Sequence, residues 1–245
     1  MSDLAGRTIL ITGASSGLGR HFATICTAAG AKVAACARRT DLLEALARET
    51  GCAPIQMDVE DEASVIAGFD AAEKALGPMD SVVANAGMSL PGMALDLPVE
   101  DFERILRVNL TGVFLTAREG ARRMIARGQR NGRIVIVSSM GAHKVLPGTA
   151  AYCASKAGAL TLGKAMAREW ANKGINVNIL CPGFISTDLN DEFLESDSGK
   201  RMIAGFPRRR TMQPSDLDGT LLHLLSDASR GITGAAFDLD DGQGL

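Results

Sequence analysis

The chain contains 245 residues, a length that permits one large α/β domain or two smaller ones. Its 26 Lys and Arg residues nearly balance 28 Asp and Glu residues, and the formal net charge of -2 provides no basic field to attract nucleic acid or an anionic membrane. The longest apolar runs fall far short of the roughly 18 residues that a membrane span requires. The first residues also lack the layout of a secretory signal. We therefore expect a cytoplasmic protein with no nucleic-acid partner and no membrane partner.

The numbers and positions of the cysteines and glycines indicate the cellular compartment and the kind of backbone to expect. The cysteines are dispersed, odd in number and without the spacing of a metal site, which fits a reducing compartment and predicts no structural metal: Cys26, Cys36, Cys52, Cys153 and Cys181. Glycine contributes 27 of the 245 residues, more than the usual share of roughly 7%. Such an excess indicates many places where the backbone turns tightly or approaches a ligand closely.

Short β-branched segments alternate with longer helical segments along the whole chain. The predicted strands, in chain order, are Thr8–Thr12, Lys32–Ala37 and residues 54–59, 81–85, 133–138, 176–181 and 235–239. Strands that alternate with helices pair in parallel, because each helical crossover returns the chain to the same edge of the sheet. The sequence therefore predicts an α/β fold with a seven-stranded parallel sheet and helices on both faces.

Two long helices and one irregular stretch complete this organisation. Apolar residues recur at three- and four-residue intervals over about 99–127, which predicts an amphipathic helix, and a second long helix is predicted over about 152–173. No linker, charge block or repeat interrupts the pattern, so we expect one domain over residues 1–245. The stretch at about 184–214 shows no clear periodicity, and we expect it to form a lid over a binding site.

A glycine-rich turn joins the first strand to the first helix, and its residues are Thr12-Gly13-Ala14-Ser15-Ser16-Gly17-Leu18-Gly19. Glycines let a backbone approach a pyrophosphate, and a helix start offers free N–H groups and the positive end of a dipole. The spacing is G-x-x-x-G-x-G instead of the G-x-G-x-x-G of the standard dinucleotide motif. A turn that merely connects strand and helix is the alternative.

The end of the second strand predicts the choice of cofactor. Dinucleotide-binding folds that take NAD place an acidic residue there to bind the ribose 2′-OH, whereas this chain has Ala37 followed by Arg38 and Arg39. Arg38 offers a forked and permanently charged donor to a 2′-phosphate. NADPH or NADP+ is therefore favoured over NADH, and the alternative is that both arginines are solvated charges.

Candidate catalytic residues follow the fifth strand. Tyr152 is the single tyrosine of the chain, and Lys156 stands four residues later on the same predicted helical face. A tyrosine hydroxyl has an ordinary pKa near 10 and needs a nearby ammonium group to act at neutral pH. Ser138 and Ser139 end the fifth strand, where a ligand crevice is expected in an open α/β sheet.

These motifs, in this order, resemble the classical short-chain dehydrogenases/reductases over essentially the whole chain, and in particular the members that reduce 3-oxoacyl groups on an acyl carrier protein. The further motifs that carry the resemblance are Asp58-Val59, Asn85-Ala86-Gly87, Asn109 within Val108-Asn109-Leu110-Thr111-Gly112, Ser139 thirteen residues before Tyr152, and Pro182-Gly183 followed by Ile185 and Thr187. The resemblance implies a single-domain, doubly wound Rossmann fold.

The resemblance also implies the site. Its catalytic residues would be Asn109, Ser139, Tyr152 and Lys156; its cofactor-binding residues would be Gly13, Ser15, Ser16, Gly17, Leu18, Gly19, Arg38, Asp58, Val59, Asn85, Ala86, Gly87, Tyr152, Lys156, Pro182, Gly183, Ile185 and Thr187. Tyr152 would donate the proton to a carbonyl oxygen, and Ser139 would hold that oxygen. Lys156 would favour the tyrosinate and bind ribose, and Asn109 would bind a water leading to Lys156. The alternative for Asn109 is a buried side chain that caps local backbone.

The activity that these residues predict is NADPH-dependent reduction of a ketone to a secondary alcohol. The substrate is expected to be a 3-oxoacyl thioester or a hydrophobic ketone. An NAD(P)-dependent secondary-alcohol or sugar and polyol dehydrogenase is one alternative, and a non-catalytic NADP-binding sensor or scaffold is another.

We expect a homotetramer, with a dimer as second choice. His143 is expected to line the pocket or face solvent. An acidic carrier would meet basic residues, for which the candidates are Arg130, Lys173, Arg208, Arg209 and Arg210.

Overall fold

The computed structural model describes residues 3–145, 147–186 and 194–245. Its strands are β1 (Thr8–Thr12), β2 (Lys32–Ala37), β3 (Ala53–Gln56), β4 (Ser81–Ala84), β5 (Gly132–Val137), β6 (Ile175–Pro182) and β7 (Ala236–Leu239). They form one sheet in the order β3-β2-β1-β4-β5-β6-β7, and every neighbouring pair is parallel. The predicted seven-stranded parallel sheet is confirmed.

Helices cover both faces of this sheet. They are α1 (Gly17–Ala28), α2 (Thr40–Thr50), α3 (Glu62–Leu76), α4 (Val99–Leu106), α5 (Gly112–Ala126), α6 (Ala150–Trp170), α7 (Asp197–Ala204) and α8 (Asp218–Leu225). On one face, Phe69 and Met124 pack in a cluster that includes residues of α3, α5 and α6. On the other, Phe22 and Leu221 pack in a cluster that includes residues of α1, α2 and α8. β1 and β5 are buried along their whole length because helices cover them on both sides.

The order of the strands positions the site. From β1 the chain proceeds outward through β2 to β3, then returns to β4 on the other side of β1 and continues outward to β7. The crossovers on the two sides of the β1–β4 boundary therefore diverge and leave a crevice at the carboxyl ends of these strands, where ligands bind in open α/β sheets.

The long helix predicted over 99–127 is not a uniform α-helix. A π-helical turn at Arg107–Thr111 separates α4 from α5, with Asn109 at its centre. A π turn adds a residue to one helical turn and shifts the side chains that follow it, so it interrupts the regular period. At the start of α5, a Cβ on Gly112 would lie 2.8 Å from Val59 Cγ2, so the helix can pass this close only with glycine.

Other predicted boundaries need smaller corrections. The third strand ends at Gln56 instead of residue 59, because the Asp58 side chain accepts a hydrogen bond from the Glu60 backbone N–H and turns the chain. The second long helix begins at Ala150, ends at Trp170 and continues as a 3₁₀ turn over Ala171–Lys173.

The irregular stretch predicted over 184–214 contains α7. The Ser196 side chain caps this helix by accepting a hydrogen bond from the Gly199 backbone N–H at 3.1 Å. Within the described ranges, none of the helices is both long enough and apolar enough to cross a membrane.

Candidate active site

The glycine-rich turn after β1 has a backbone that only glycine accommodates. Gly13 and Gly17 have φ angles of 70° and 52°, in the left-handed region. A Cβ on Gly19 would press against the Gly13 carbonyl oxygen, and a Cβ on Gly13 would lie 2.9 Å from the Ala86 Cα. Three glycines therefore allow the turn, the start of α1 and the end of β4 to approach one another. This is the bare-backbone cradle that a pyrophosphate requires.

Thr12 joins the turn to the segment after β4. Its hydroxyl accepts hydrogen bonds from the Asn85 and Ala86 backbone N–H groups, each at 3.1 Å. The Asn85 side chain donates in return to the Thr12 carbonyl at 2.9 Å. The structure thus brings together two predicted cofactor segments, and Thr12, the first residue of the predicted glycine-rich turn, connects them.

The two arginines after β2 have different surroundings. The Arg38 side chain is 60% exposed and pairs with Glu60 at 3.3 Å and Asp58 at 4.0 Å. Arg39 instead donates to the Ser15 hydroxyl at 2.9 and 3.2 Å and to the Ser16 hydroxyl at 2.6 Å. Arg39 therefore lies on the glycine turn itself, a contact that the sequence did not predict, since Arg38 was the arginine selected for the cofactor.

Asp58 and Val59 lie in the loop after β3, on the side of the crevice where the resemblance places the adenine. The Asp58 backbone N–H donates to the Ser64 hydroxyl at 2.9 Å, and the Asp58 carboxylate accepts from the Glu60 backbone N–H at 3.0 Å. Val59 is buried against Gly112 at the start of α5. The hydrogen bond from the Asp58 N–H to Ser64 therefore holds the backbone at Asp58, and Val59 packs against α5.

Ser139 and Tyr152 meet in the crevice, as predicted. Ser139 follows β5, and its hydroxyl accepts a hydrogen bond from the Gly141 backbone N–H at 3.0 Å. Burial raises the pKa of Tyr152, and a hydrogen bond with Ser139 partly opposes that rise. Tyr152 is therefore a neutral phenol that keeps its proton at neutral pH.

Lys156 lies deeper, beneath the ring of Tyr152. It is 4% exposed, its Nζ donates to the Val137 carbonyl at 3.0 Å, and this Nζ is 5.7 Å from the centre of the Tyr152 ring. Burial lowers the pKa of Lys156 to about 8, against an opposing effect of Cys181. The amine therefore titrates close to neutral pH, within electrostatic reach of the tyrosine.

Asn109 is fully buried, and its side chain binds backbone and one hydroxyl. Its Oδ1 accepts from the Met88 N–H at 2.8 Å, and its Nδ2 donates to the Met88 carbonyl at 2.8 Å and to the Ser155 hydroxyl at 3.0 Å. The capping alternative is thus present in the structure. The role of Asn109 in binding water stays a prediction.

Gly87 keeps this region open. A Cβ at this position would lie 3.3 Å from Lys156 Nζ and 3.4 Å from Asn109 Oδ1.

Two further serines, which sequence reasoning did not select, hold α6 in place. Ser155 donates to the Tyr152 carbonyl at 2.7 Å, and Ser138 donates to the Lys156 carbonyl at 2.8 Å. The Tyr152 and Lys156 backbones are therefore anchored from both sides.

The segment after β6 is held by the C-terminal residues. Gly183 N–H donates to the Leu239 carbonyl at 3.0 Å, and Phe184 N–H donates to Gln243 Oε1 at 2.6 Å. Ile185 is buried and forms a bridge with Met212. Pro182, Gly183 and Ile185 therefore stand at the crevice as predicted, whereas Thr187 lies outside the described residues.

The predicted lid is partly described. Leu194 and Phe206 are buried, and the rings of Phe184 and Phe206 are 5.7 Å apart. Leu189 and Phe193, which also fall within the predicted lid, lie outside the described ranges. Arg208 and Arg210 pair with Asp241 at 3.0 and 2.8 Å. Two of the proposed carrier-binding arginines are thus bound to the C-terminal segment.

Of the remaining basic candidates, Arg209 is exposed, and Arg130 and Lys173 lie at the amino-terminal end of the strands, opposite the crevice. Arg130 and Lys173 immediately precede β5 and β6, whereas Ser139 follows the carboxyl end of β5. A strand rises about 3.3 Å per residue, so the six residues of β5 separate Arg130 from the crevice by about 20 Å. Within one chain, Arg130 and Lys173 cannot bind a carrier at the mouth of this crevice.

Comparisons with known proteins agree with this geometry. A family model described as enoyl-(acyl carrier protein) reductase matches residues 13–243. The chain is 38% identical over 221 residues to the inactive 2-(S)-hydroxypropyl-CoM dehydrogenase 2 of Xanthobacter autotrophicus, covering 87% of this chain and 95% of that protein. It is 35% identical over 238 residues to the acetoacetyl-CoA reductase of Shinella zoogloeoides, covering 97% and 98% of the two chains.

Solved structures are similar over nearly the full length. A short-chain type dehydrogenase/reductase from Mycobacterium marinum has a TM-score of 0.93 at 38% identity, with 98% of this chain and 96% of that chain covered. A gluconate 5-dehydrogenase from Burkholderia cenocepacia in complex with NADP and tartrate has a TM-score of 0.93 at 32% identity, with the same coverage.

The chain belongs to the classical short-chain dehydrogenases/reductases. It is an oxidoreductase of that family, and its cofactor is a nicotinamide dinucleotide. The cradle formed by Gly13, Gly17 and Gly19 fits such a cofactor, because its backbone is bare where a Cβ would block the pyrophosphate.

Proposed function

We propose that this protein reduces a ketone to a secondary alcohol with NADPH, and that Tyr152 is its general acid. The observation that carries this proposal is the convergence of Ser139, Tyr152 and Lys156 in the crevice beside the glycine turn. When bound, the nicotinamide supplies the hydride to the carbonyl carbon. The negative charge that develops on the carbonyl oxygen needs a proton and a hydrogen-bond donor.

Tyr152 and Ser139 meet that need together. The Tyr152 phenol donates its proton to the carbonyl oxygen, and the Ser139 hydroxyl donates a hydrogen bond to the same oxygen. Burial raises the pKa of Tyr152, so the phenol holds a proton at neutral pH and depends on a nearby positive charge to give it up. Lys156 then stabilises the tyrosinate that remains, because its ammonium form lies beneath the ring. The buried Asn109 keeps Met88 and Ser155 in place around this centre.

For the cofactor, we propose NADPH ahead of NADH. No carboxylate stands at Ala37 to bind a ribose 2′-OH, and two permanently charged guanidinium groups follow at Arg38 and Arg39. Arg38 is exposed and free to turn from Glu60 toward a phosphate. The structure of the similar gluconate 5-dehydrogenase, which holds NADP, supports the same choice.

For the substrate, we propose a 3-oxoacyl thioester, with a hydrophobic ketone next. The similarity to an acetoacetyl-CoA reductase supports a thioester, and the apolar lid residues Leu194 and Phe206 support an acyl or other apolar group. A CoA thioester fits the chain better than a carrier-bound one, since Arg130 and Lys173 lie away from the crevice and Arg208 and Arg210 bind Asp241.

A dehydrogenase acting on a secondary alcohol or polyol is the second candidate. The similarity to the gluconate 5-dehydrogenase favours it. A non-catalytic NADP-binding protein is the third, since one relative is described as inactive. The intact Ser139, Tyr152 and Lys156 argue against loss of turnover.

The test measures turnover of a panel of substrates with each cofactor, through the absorbance of the reduced nicotinamide. The panel contains acetoacetyl-CoA, longer 3-oxoacyl thioesters, aryl ketones, α-diketones and sugars. Faster NADPH oxidation with 3-oxoacyl thioesters than with the other carbonyls supports the proposal. Turnover only with polyols, in the oxidative direction, favours the second candidate. NADPH binding without turnover on any substrate favours the third.

We also propose that residues 1–245 form a single domain that assembles as a homotetramer. The exposed apolar side chains on α4 and α5 support a partner surface on these helices: Val99, Phe102, Phe114 and Ile125. Light scattering at micromolar concentration tests it. A mass of one chain contradicts assembly, and a mass of two chains selects the dimer.

A further inference from the structure

Three side chains from distant parts of the sequence lie together beside the catalytic crevice. Their ligand atoms are all within 4.8 Å of one another, and over residues 3–145, 147–186 and 194–245 this is the one such group of at least three His, Cys or acidic side chains: His143, Cys181 and Asp238. The proposed reaction uses none of them. Together they offer an imidazole nitrogen, a sulfur and a carboxylate oxygen.

The fold fixes the backbone of all three residues. Cys181 and Asp238 are paired in register on the neighbouring parallel strands β6 and β7, so their side chains project from the same face of the sheet. His143 follows a 3₁₀ turn, and its N–H donates to the Met140 carbonyl at 2.9 Å. The next residue, Lys144, binds the Gln243 carbonyl at 2.8 Å. The strand pairing and these loop hydrogen bonds therefore place the three side chains together.

The spacing of the atoms suits a tetrahedral ion. His143 Nε2 and Asp238 Oδ1 are 3.2 Å apart, and two such ligands bound at roughly 2.0–2.2 Å in a tetrahedron stand about 3.3–3.5 Å apart. A thiolate at roughly 2.3 Å from the ion would stand about 3.6 Å from the nitrogen. All three ligand atoms lie within 4.8 Å of one another. Side-chain rotations that move a ligand atom by about 1 Å would therefore bring the three atoms to tetrahedral spacing.

The exposure of the three side chains gives an ion a route to the site. The side chains of His143 and Asp238 are 46% and 61% exposed, whereas Cys181 is fully buried. An ion from solvent therefore meets the nitrogen and the oxygen first and then the sulfur below them. A tetrahedral ion needs a fourth ligand besides these three, and water can supply it from the exposed side of the group.

We propose that His143, Cys181 and Asp238 bind a Zn²⁺ ion, with water as the fourth ligand. Sulfur and imidazole nitrogen select Zn²⁺ over Mg²⁺ or Ca²⁺, which prefer oxygen ligands. The sulfur binds as thiolate, so the Cys181 thiol proton passes to solvent when the metal–sulfur bond forms. Cys181 directly precedes Pro182, and His143 follows Ser139 by four residues. The ion thus joins the loop after Ser139 to the segment expected to bind the cofactor.

The test is titration of the chelator-treated protein with ZnCl₂ by calorimetry, and with CoCl₂ by absorbance. The variants are His143→Ala, Asp238→Asn and Cys181→Ser. His21→Ala is the matched control, because His21 pairs with Asp218 at 2.6 Å in another part of the surface and belongs to no such three-ligand group in the described chain. Circular dichroism and Tm verify that each variant is folded.

We expect one Zn²⁺ per chain and a sulfur-to-cobalt charge-transfer band with Co²⁺. His143→Ala should weaken Zn²⁺ binding at least about 100-fold, the upper end of the loss seen when an outer hydrogen-bond partner of a ligand is removed. Asp238→Asn should weaken it as well, Cys181→Ser should abolish the cobalt band, and His21→Ala should bind as the unmodified protein does. The proposal is overturned by absence of saturable binding, by equal losses in His143→Ala and His21→Ala, or by a cobalt spectrum without the sulfur band. If His143→Ala does not fold, Asp238→Asn replaces it in this comparison, because its side chain is exposed; Zn²⁺ binding by Asp238→Asn equal to that of the unmodified protein then overturns the proposal.

Discussion

Replacing Arg38 or Arg39 should separate two ways of holding the cofactor. In the free protein Arg38 pairs with Glu60 at 3.3 Å through a side chain that is 60% exposed, and such an exposed pair contributes only about 0–1 kcal/mol. A hydrogen bond to a charged phosphate contributes roughly 1.5–3 kcal/mol. The net gain from turning Arg38 to the 2′-phosphate is therefore about 0.5–3 kcal/mol. Arg38→Ala should weaken NADPH binding about 2- to 140-fold and leave NADH nearly unchanged.

Arg39→Ala should behave differently. Arg39 fixes the hydroxyls of Ser15 and Ser16 in the glycine turn, and both cofactors carry the pyrophosphate that this turn is expected to hold. Its loss should therefore weaken NADPH and NADH together. Adding Ala37→Asp to Arg38→Ala should give a protein that prefers NADH, because the carboxylate accepts from a ribose 2′-OH and repels a phosphate.

The assay is fluorescence titration of each variant with NADPH and NADH at fixed ionic strength. Arg20→Ala is the charge-matched control, since Arg20 pairs with Glu49 on the outer side of α1, and its Kd values should stay within about twofold of the unmodified protein. Equal losses for NADPH and NADH in Arg38→Ala would refute the reasoning, because a residue that reads the 2′-phosphate cannot affect NADH to the same extent.

Three further predictions concern the catalytic centre. Tyr152→Phe should lower turnover about 10²- to 10⁴-fold with little change in NADPH affinity; near-normal turnover would contradict Tyr152 as general acid. Gly87→Ala should lower turnover about 10-fold or more, because its Cβ would lie 3.3 Å from Lys156 Nζ; unchanged kcat would show that this space is not needed. The pKa of Lys156 is about 8 when folded against an ordinary 10.5, so between about pH 8 and 10 the unfolded chain binds more protons at this residue, and the contribution of Lys156 to the free energy of unfolding should rise with pH, by at most about 1.4 kcal/mol per unit. Buried thiols whose pKa is raised, among them Cys26 and Cys36, act in the opposite direction over the same range, so the contribution is measured as the difference between the unmodified protein and Lys156→Met in chemical denaturation. This difference should grow with pH in favour of the unmodified protein, and a difference that does not change with pH would contradict the assigned pKa.

Much of the fold follows from the sequence because parallel α/β folds have a strong local signal. Strands buried on both faces read as continuous apolar runs, as in β1 and β5, and the helices between them repeat at three to four residues. The cofactor turn and the pair Tyr152 and Lys156 were also predictable, because each depends on residues that are neighbours in the chain or one helical turn apart.

Tertiary structure decided the features that depend on residues far apart in the chain. The π turn at Asn109, the contact of Arg39 with the glycine turn, and the separation of Arg130 and Lys173 from the crevice each result from packing between distant segments. Hydrophobic periodicity reports which face of a helix is buried, but it does not report which side chain another segment brings to meet it.

The group formed by His143, Cys181 and Asp238 shows the same limit most clearly. The three residues are separated by 38 and 57 positions, so no short motif of ligands appears in the sequence. They become neighbours only when β6 pairs with β7 in a register that sets Cys181 opposite Asp238, and when the loop after Ser139 is bound to the C-terminal segment. Local patterning determined the elements and the cofactor turn, and sheet register determined which ligands face one another, because register depends on the whole assembled sheet.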